Sequence, residues 1–175
     1  MKRLLVAAAA VAAVATAAPA FAETTTISGN VPAVCQVTQT NSAINVGTLS
    51  ANSAGVVSVT GATAPFQDLA NGFCNGVSST ITVSATPLTS DVTIPASQQG
   101  SFTNRVDYSF SFLVDGANVG AVDTASGTGV NNAIVGLFDG TLGTDSDLAP
   151  ANTGGKRLVA DTYEGSITFT LAPAA

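Results

Sequence analysis

Apolar and hydroxyl side chains alternate along much of this chain, and that alternation constrains its fold more than any other feature. Val106, Tyr108, Phe110, Phe112 and Val114 alternate with Arg105, Asp107, Ser109, Ser111 and Leu113. Val77, Ser79, Ile81, Val83 and Ala85 alternate with Ser78, Thr80, Thr82 and Ser84, and Ile167, Phe169 and Leu171 with Ser166, Thr168 and Thr170. A period of two turns one face of an extended strand onto a core and the other to water. Residues 34–39, 44–49, 56–60, 92–95 and 133–138 are shorter candidates of the same kind. Asn71-Gly72, Asn75-Gly76, Asp115-Gly116, Asp139-Gly140 and Gly154-Gly155 separate the runs as turn signals. Residues 60–71 and the Gly/Asp/Asn/Thr-rich stretch 140–155 read as long loops. Short strands at this spacing, without a helical stripe, predict an all-β sandwich. A chain of 175 residues holds one such domain with a real core.

The N-terminus has a different character. Lys2 and Arg3 precede an apolar run over 4–16, and Ala20-Phe21-Ala22 offers a small-x-small cleavage site. This is the pattern of a signal peptide over residues 1–22, with Glu23 as the first mature residue. The alternative, a membrane anchor, is disfavoured because the apolar run is short of the roughly 20 residues that span a bilayer. The expectation is an exported protein, without membrane insertion after cleavage.

Cleavage would leave three cations against eleven acids, a formal charge of −8. A surface of that sign has no electrostatic attraction for nucleic acid or for an anionic membrane. The chain has no His, which excludes Ser-His-Asp triads, Cys-His pairs and His-ligated zinc. Export permits a disulfide, and Cys35 and Cys74 can pair in only one way; the alternative is two free buried thiols. Closing a loop of roughly 40 residues is worth about 4 kcal/mol in chain entropy.

Few residues suggest chemistry. Asp139, Asp145 and Asp147 offer oxygen ligands of the kind Ca²⁺ takes, but without EF-hand spacing they read as a solvated polar loop. Asp161 and Glu164 flank Tyr163 with no sign of the cleft that a two-carboxylate glycosidase needs. Tyr108 and Tyr163 are the only tyrosines and there is no Trp, which gives a sugar-binding platform little material. Tyr163 reads instead as a corner residue whose hydroxyl anchors the turn before the last strand. Lys156 and Arg157 read as a solvated turn. No enzyme activity, metal or cofactor is expected.

The first mature residues form a separate segment. Thr25, Ile27, Gly29 and Val31 share one face of a candidate strand, and Pro32 divides it from the rest of the chain. Such a strand pairs either with its own domain as an edge or with another molecule.

The chain resembles chaperone–usher pilin subunits of the spore-coat-U-like, archaic type. The resemblance rests on the signal peptide with its brief β extension and on an early cysteine in Val31-Pro-Ala-Val-Cys-Gln-Val. It rests also on a partner cysteine before a strand, in Phe73-Cys-Asn-Gly-Val-Ser-Ser-Thr-Ile-Thr-Val, and on the ending Ala160-Asp-Thr-Tyr-Glu-Gly-Ser-Ile-Thr-Phe-Thr-Leu. It implies an incomplete immunoglobulin-like β-sandwich over 33–175, donor-strand complemented, and an N-terminal extension over 23–32. A periplasmic chaperone fills the groove of such a subunit until the extension of a neighbouring pilin subunit replaces it at the outer-membrane usher. This is β-strand addition, in which main-chain hydrogen bonds give affinity and alternate side chains give register. Transferred here, Thr25, Ile27, Gly29 and Val31 are the donor face, and Ile167, Phe169 and Leu171 line one side of the acceptor groove. The implied function is a structural subunit of a surface pilus or fimbria, with a role in adhesion or biofilm. The alternative is a self-contained secreted sandwich acting as a monomeric adhesin or matrix protein.

Overall fold

The structure is a computed structural model, and it describes residues 25–60, 67–125, 127–145, 149–150 and 153–173. The signal peptide expected over 1–22 and the first two residues of the extension lie outside the described residues. The chain divides into two units, Met1–Val31 and Pro32–Ala175. In the first unit, residues 25–31 are exposed and form no strand.

Nearly all regular structure in the second unit is β. Its strands are β1 (Cys35–Gln39), β2 (Thr48–Ala51), β3 (Val57–Thr60), β4 (Gln67–Cys74), β5 (Thr80–Ala85), β6 (Leu88–Thr89), β7 (Phe102–Thr103) and β8 (Arg105–Val106). They continue as β9 (Tyr108–Val114), β10 (Ala117–Asp123), β11 (Gly129–Ile134), β12 (Phe138–Thr144), β13 (Ala149–Pro150), β14 (Arg157–Leu158) and β15 (Ile167–Ala172). The larger sheet runs β1-β4-β12-β9-β10, with β13 also on β9, and the smaller runs β11-β5-β15. Both are antiparallel. Hairpins β2-β3 and β6-β8 and a short parallel pair, β7-β14, lie outside them.

Their inner faces share one core. Ile81, Val83 and Ala85 from the smaller sheet meet Ala70, Phe110, Phe112, Val122, Phe138 and Leu142 from the larger. The expected alternation is present on β5, where every second residue is buried, and on Tyr108, Phe110 and Phe112 of β9. Leu113 breaks the pattern and is buried too. The Asp115-Gly116 signal is a two-residue hairpin turn between β9 and β10, with φ of 50° and 76°. Positive φ at both positions matches the twist of the flanking strands.

Several expectations are corrected. Asn71-Gly72 is not a turn but the middle of β4, paired with β1 and β12. Glycine stands there because a Cβ would meet Leu171 Cδ1 at 2.6 Å and Phe138 Cε1 at 2.7 Å. Asp139-Gly140 is likewise inside β12, so the expected 140–155 loop begins as strand. The candidate strand 133–138 is broken. Gly136 has φ 63°, and the amides of Val135 and Gly136 both donate to the Ser79 carbonyl, at 2.9 and 3.1 Å. The chain crosses there from the smaller sheet to the larger. Val77 is not on the β5 core face: a turn over 76–79, closed by the Ser79 amide on the Gly76 carbonyl, leaves it 81 % exposed. Residues 92–95 form no strand, and the candidate 44–49 becomes strand only at Thr48. Ala117–Asp123, unread from sequence, is a strand with a bulge between Asn118 and Gly120, and Val122 is its only buried side chain.

The disulfide forms between Cys35 and Cys74, which face each other at matched positions of β1 and β4. It fastens the outermost strand of the larger sheet to its neighbour. Replacing both cysteines by Ala is expected to cost about 4 kcal/mol, the chain-entropy value for such a loop. A fall in the guanidinium midpoint measures this; a loss below about 1 kcal/mol contradicts the entropic account.

Candidate functional site

The two flanks of this sandwich are built differently. On one, β10 and β11 are consecutive and lie side by side. Asn131 Nδ2 donates to the Ala121 carbonyl at 2.6 Å, tying one sheet to the other. On the other flank β1 ends the larger sheet and β15 ends the smaller. An edge strand leaves the outward amides and carbonyls of alternate residues without a ladder partner.

Beside β15 lies a groove of about 1120 Å³. Leu69 and Ala70 of β4 and Tyr108 of β9 contribute its floor, Ile167 and Phe169 one side, and Ile44, Val46 and Leu49 the opposite rim. Residues 158–166 form one end. Of the three side chains expected on the last strand, Ile167 and Phe169 line this groove, half-buried. Leu171 lies off it, over Gly72, where the two sheets close on each other. The groove therefore opens at the β1 C-terminal end and narrows toward the disulfide.

Local chemistry fixes the groove wall. The Ser166 amide donates to Thr86 Oγ1 at 2.8 Å, and the Thr86 amide to the Ser166 carbonyl at 2.9 Å. Thr89 and Glu164 exchange two backbone bonds, of 2.9 and 3.0 Å. The Tyr163 hydroxyl lies 3.0 Å from the Val159 carbonyl and 3.3 Å from that of Thr103. This is the corner arrangement expected for Tyr163, a hydroxyl returned to the backbone four residues upstream.

The other flagged residues come together less. Asp139 is exposed on β12, opposite Phe73, and Asp145 accepts the Ser111 amide at 3.1 Å. Asp147 lies outside the described residues. Among the described residues no three His, Cys, Asp or Glu side chains stand close enough to share a metal ion. Thr25, Ile27, Gly29 and Val31 are all exposed, Ile27 at 94 % and Val31 at 81 %. The groove floor was not read from sequence, because Leu69, Ala70 and Tyr108 converge only through sheet pairing. The one signal in the sequence was Ile44-x-Val46, whose alternation marks a half-buried rim.

Desolvation by burial pushes the Tyr108 pKa up to about 12 from an ordinary 10.0. It also raises that of Tyr163, against the lowering effect of the Val159 bond. The folded state thus holds tyrosine protons that the unfolded chain has released, so stability falls as pH climbs past 10. In a spectrophotometric titration, neither tyrosine should be half-ionised at pH 10 while the protein is folded. Tyrosinate should appear there once denaturant is added. Half-ionisation of both rings at pH 10 in the folded protein would contradict their burial.

Comparison of the chain with protein-family models, with curated proteins and with solved structures finds no match. Among the described residues, no helix is long and apolar enough to cross a membrane.

Proposed function

We propose that the chain is a structural subunit of a surface fimbria, an immunoglobulin-like sandwich short of one strand that a neighbouring copy supplies. The groove beside β15 carries this reading. It runs along an unpaired strand edge, between two sheets whose other flank is closed, and an added strand there would cover the half-buried Ile167 and Phe169 and satisfy the edge at once.

The donor is the segment 25–31. Its Ile27 and Val31 are exposed apolar side chains of the kind that such a groove buries, each worth about 1.5–3 kcal/mol when fully covered. Main-chain bonds add roughly 1 kcal/mol net apiece. Residues 25–31 carry no charge, so their burial costs no ion desolvation. The segment leaves the domain at Pro32, near the disulfide, whereas the groove opens at the far end of β1. A donor at one end and an acceptor at the other make a heterologous contact, which propagates as an open filament.

Export through a signal peptide supplies the oxidising compartment that the disulfide needs. An empty groove in that compartment calls for a temporary occupant, the part a periplasmic chaperone takes in the family resembled, with an outer-membrane usher as the exit. The work of such a protein is assembly, at the cell surface or in the periplasm, and not catalysis.

The test is electrophoresis of the exported protein in SDS, unheated and boiled, beside a variant lacking residues 23–31. The expected result is a heat-sensitive ladder that the deletion abolishes. A single monomer band in both, with unchanged melting on deletion, overturns the proposal in favour of a self-contained secreted adhesin or matrix domain.

A further inference from the structure

Large apolar side chains stand uncovered at one end of the sandwich. Val77 is 81 % exposed, Ile134 79 % and Leu137 67 %. They come from separate stretches that the topology gathers. Ile134 closes β11 opposite Thr80, the first residue of β5, and Val77 lies in the turn just before that strand. Leu137 sits in the crossing between β11 and β12, next to Phe138, which is opposite Cys74. Val34, half-exposed, joins them through Asn75, whose amide donates to the Val34 carbonyl at 3.1 Å. No charged side chain lies within residues 75–79 or 134–138. Large apolar side chains left exposed together at one end of a domain are the material of an interaction site.

The same end is where the N-terminal segment departs. Asn75 Nδ2 donates to the Pro32 carbonyl at 3.1 Å, and the Val34 amide to Asn75 Oδ1 at 2.6 Å. These bonds fix the exit point beside the apolar cluster. Only Pro32 and Ala33 separate Val31 from Val34, a span of at most about 11 Å of extended chain. Whatever receives Val31 must therefore approach this end closely.

We infer that Val77, Ile134 and Leu137 dock on the groove rim of the neighbouring copy that takes the donor segment. This rests on the proposed strand donation and adds a second contact to it. The occupant is a second copy of this chain because the short span brings the mouth of its groove against this end. That mouth carries Ile44, Val46 and Leu158, all half-buried and lining the groove, beside the exposed Asn45 and Asp161. The inserted strand sets affinity, and the end-on contact restricts the angle between successive domains, since two attachments define an orientation that one flexible link does not.

A photoreactive benzophenone side chain at Leu137 tests this in the assembled protein. The expected product is a cross-link between copies whose partner peptide maps to residues 41–49 or 158–163, and it disappears in the variant lacking residues 23–31. A second probe at Ile134 and the unsubstituted chain are run alongside. A heat-sensitive ladder with no such cross-link from either position overturns the end-on contact and leaves strand donation standing. Absence of the ladder from the unsubstituted chain overturns both.

Discussion

The two sheets of this sandwich differ in width, and the groove and its open edge both depend on that mismatch. Three strands cannot cover the inner face of a sheet built from β1, β4, β12, β9 and β10. Hydrophobic burial drives the sheets together, and the shared core of Ile81, Val83, Phe110, Phe112 and Leu142 is tightly closed. Where β10 passes directly into β11, chain continuity and the Asn131 bond also close the flank. Where β15 ends the smaller sheet, no further strand continues it, and a groove lined by Leu69, Ala70 and Tyr108 is left between half-buried Ile167 and Phe169 and the segment after β1. The groove arises from strand count, not from a local irregularity.

Around that opening polar bonds supplement the apolar packing of Ile167 and Phe169. Tyr163 returns its hydroxyl to the chain, and the Thr86–Ser166 and Thr89–Glu164 pairs fasten the segment before β15 to the one after β5. Beyond the narrow end of the groove the disulfide holds β1 to β4. These bonds hold the groove wall at β15 and the strand at its narrow end in fixed positions.

Much of this was legible in the sequence, for identifiable reasons. β5 and β15 carry unbroken alternation because each packs one face on the core, and β9 does so from Tyr108 to Phe112. The Cys35–Cys74 pair and the Tyr163 corner are legible because few residues of either type exist to choose among. Gly72 misleads because the same residue that permits a turn also permits close approach of two sheets, and only the neighbours Leu171 and Phe138 tell which is meant. Ala117–Asp123 is hidden because its bulge and Gly120 break the period. The groove is hidden most deeply, since it is made of residues from β4, β9 and β15 that no window of sequence contains together.

The position of the disulfide has a mechanical consequence. Tension applied to the chain ahead of Pro32 arrives at the first residue of β1, where an ordinary edge strand would peel away one hydrogen-bonded pair at a time. Cys35 is that first residue, and its covalent link delivers the load directly into β4, an interior strand paired on both sides. The load thus enters a strand held by two ladders, and the peeling route is blocked at its first step. The bond that a melting experiment records as a few kcal/mol of stability would, in a pulled molecule, decide which strand bears the strain.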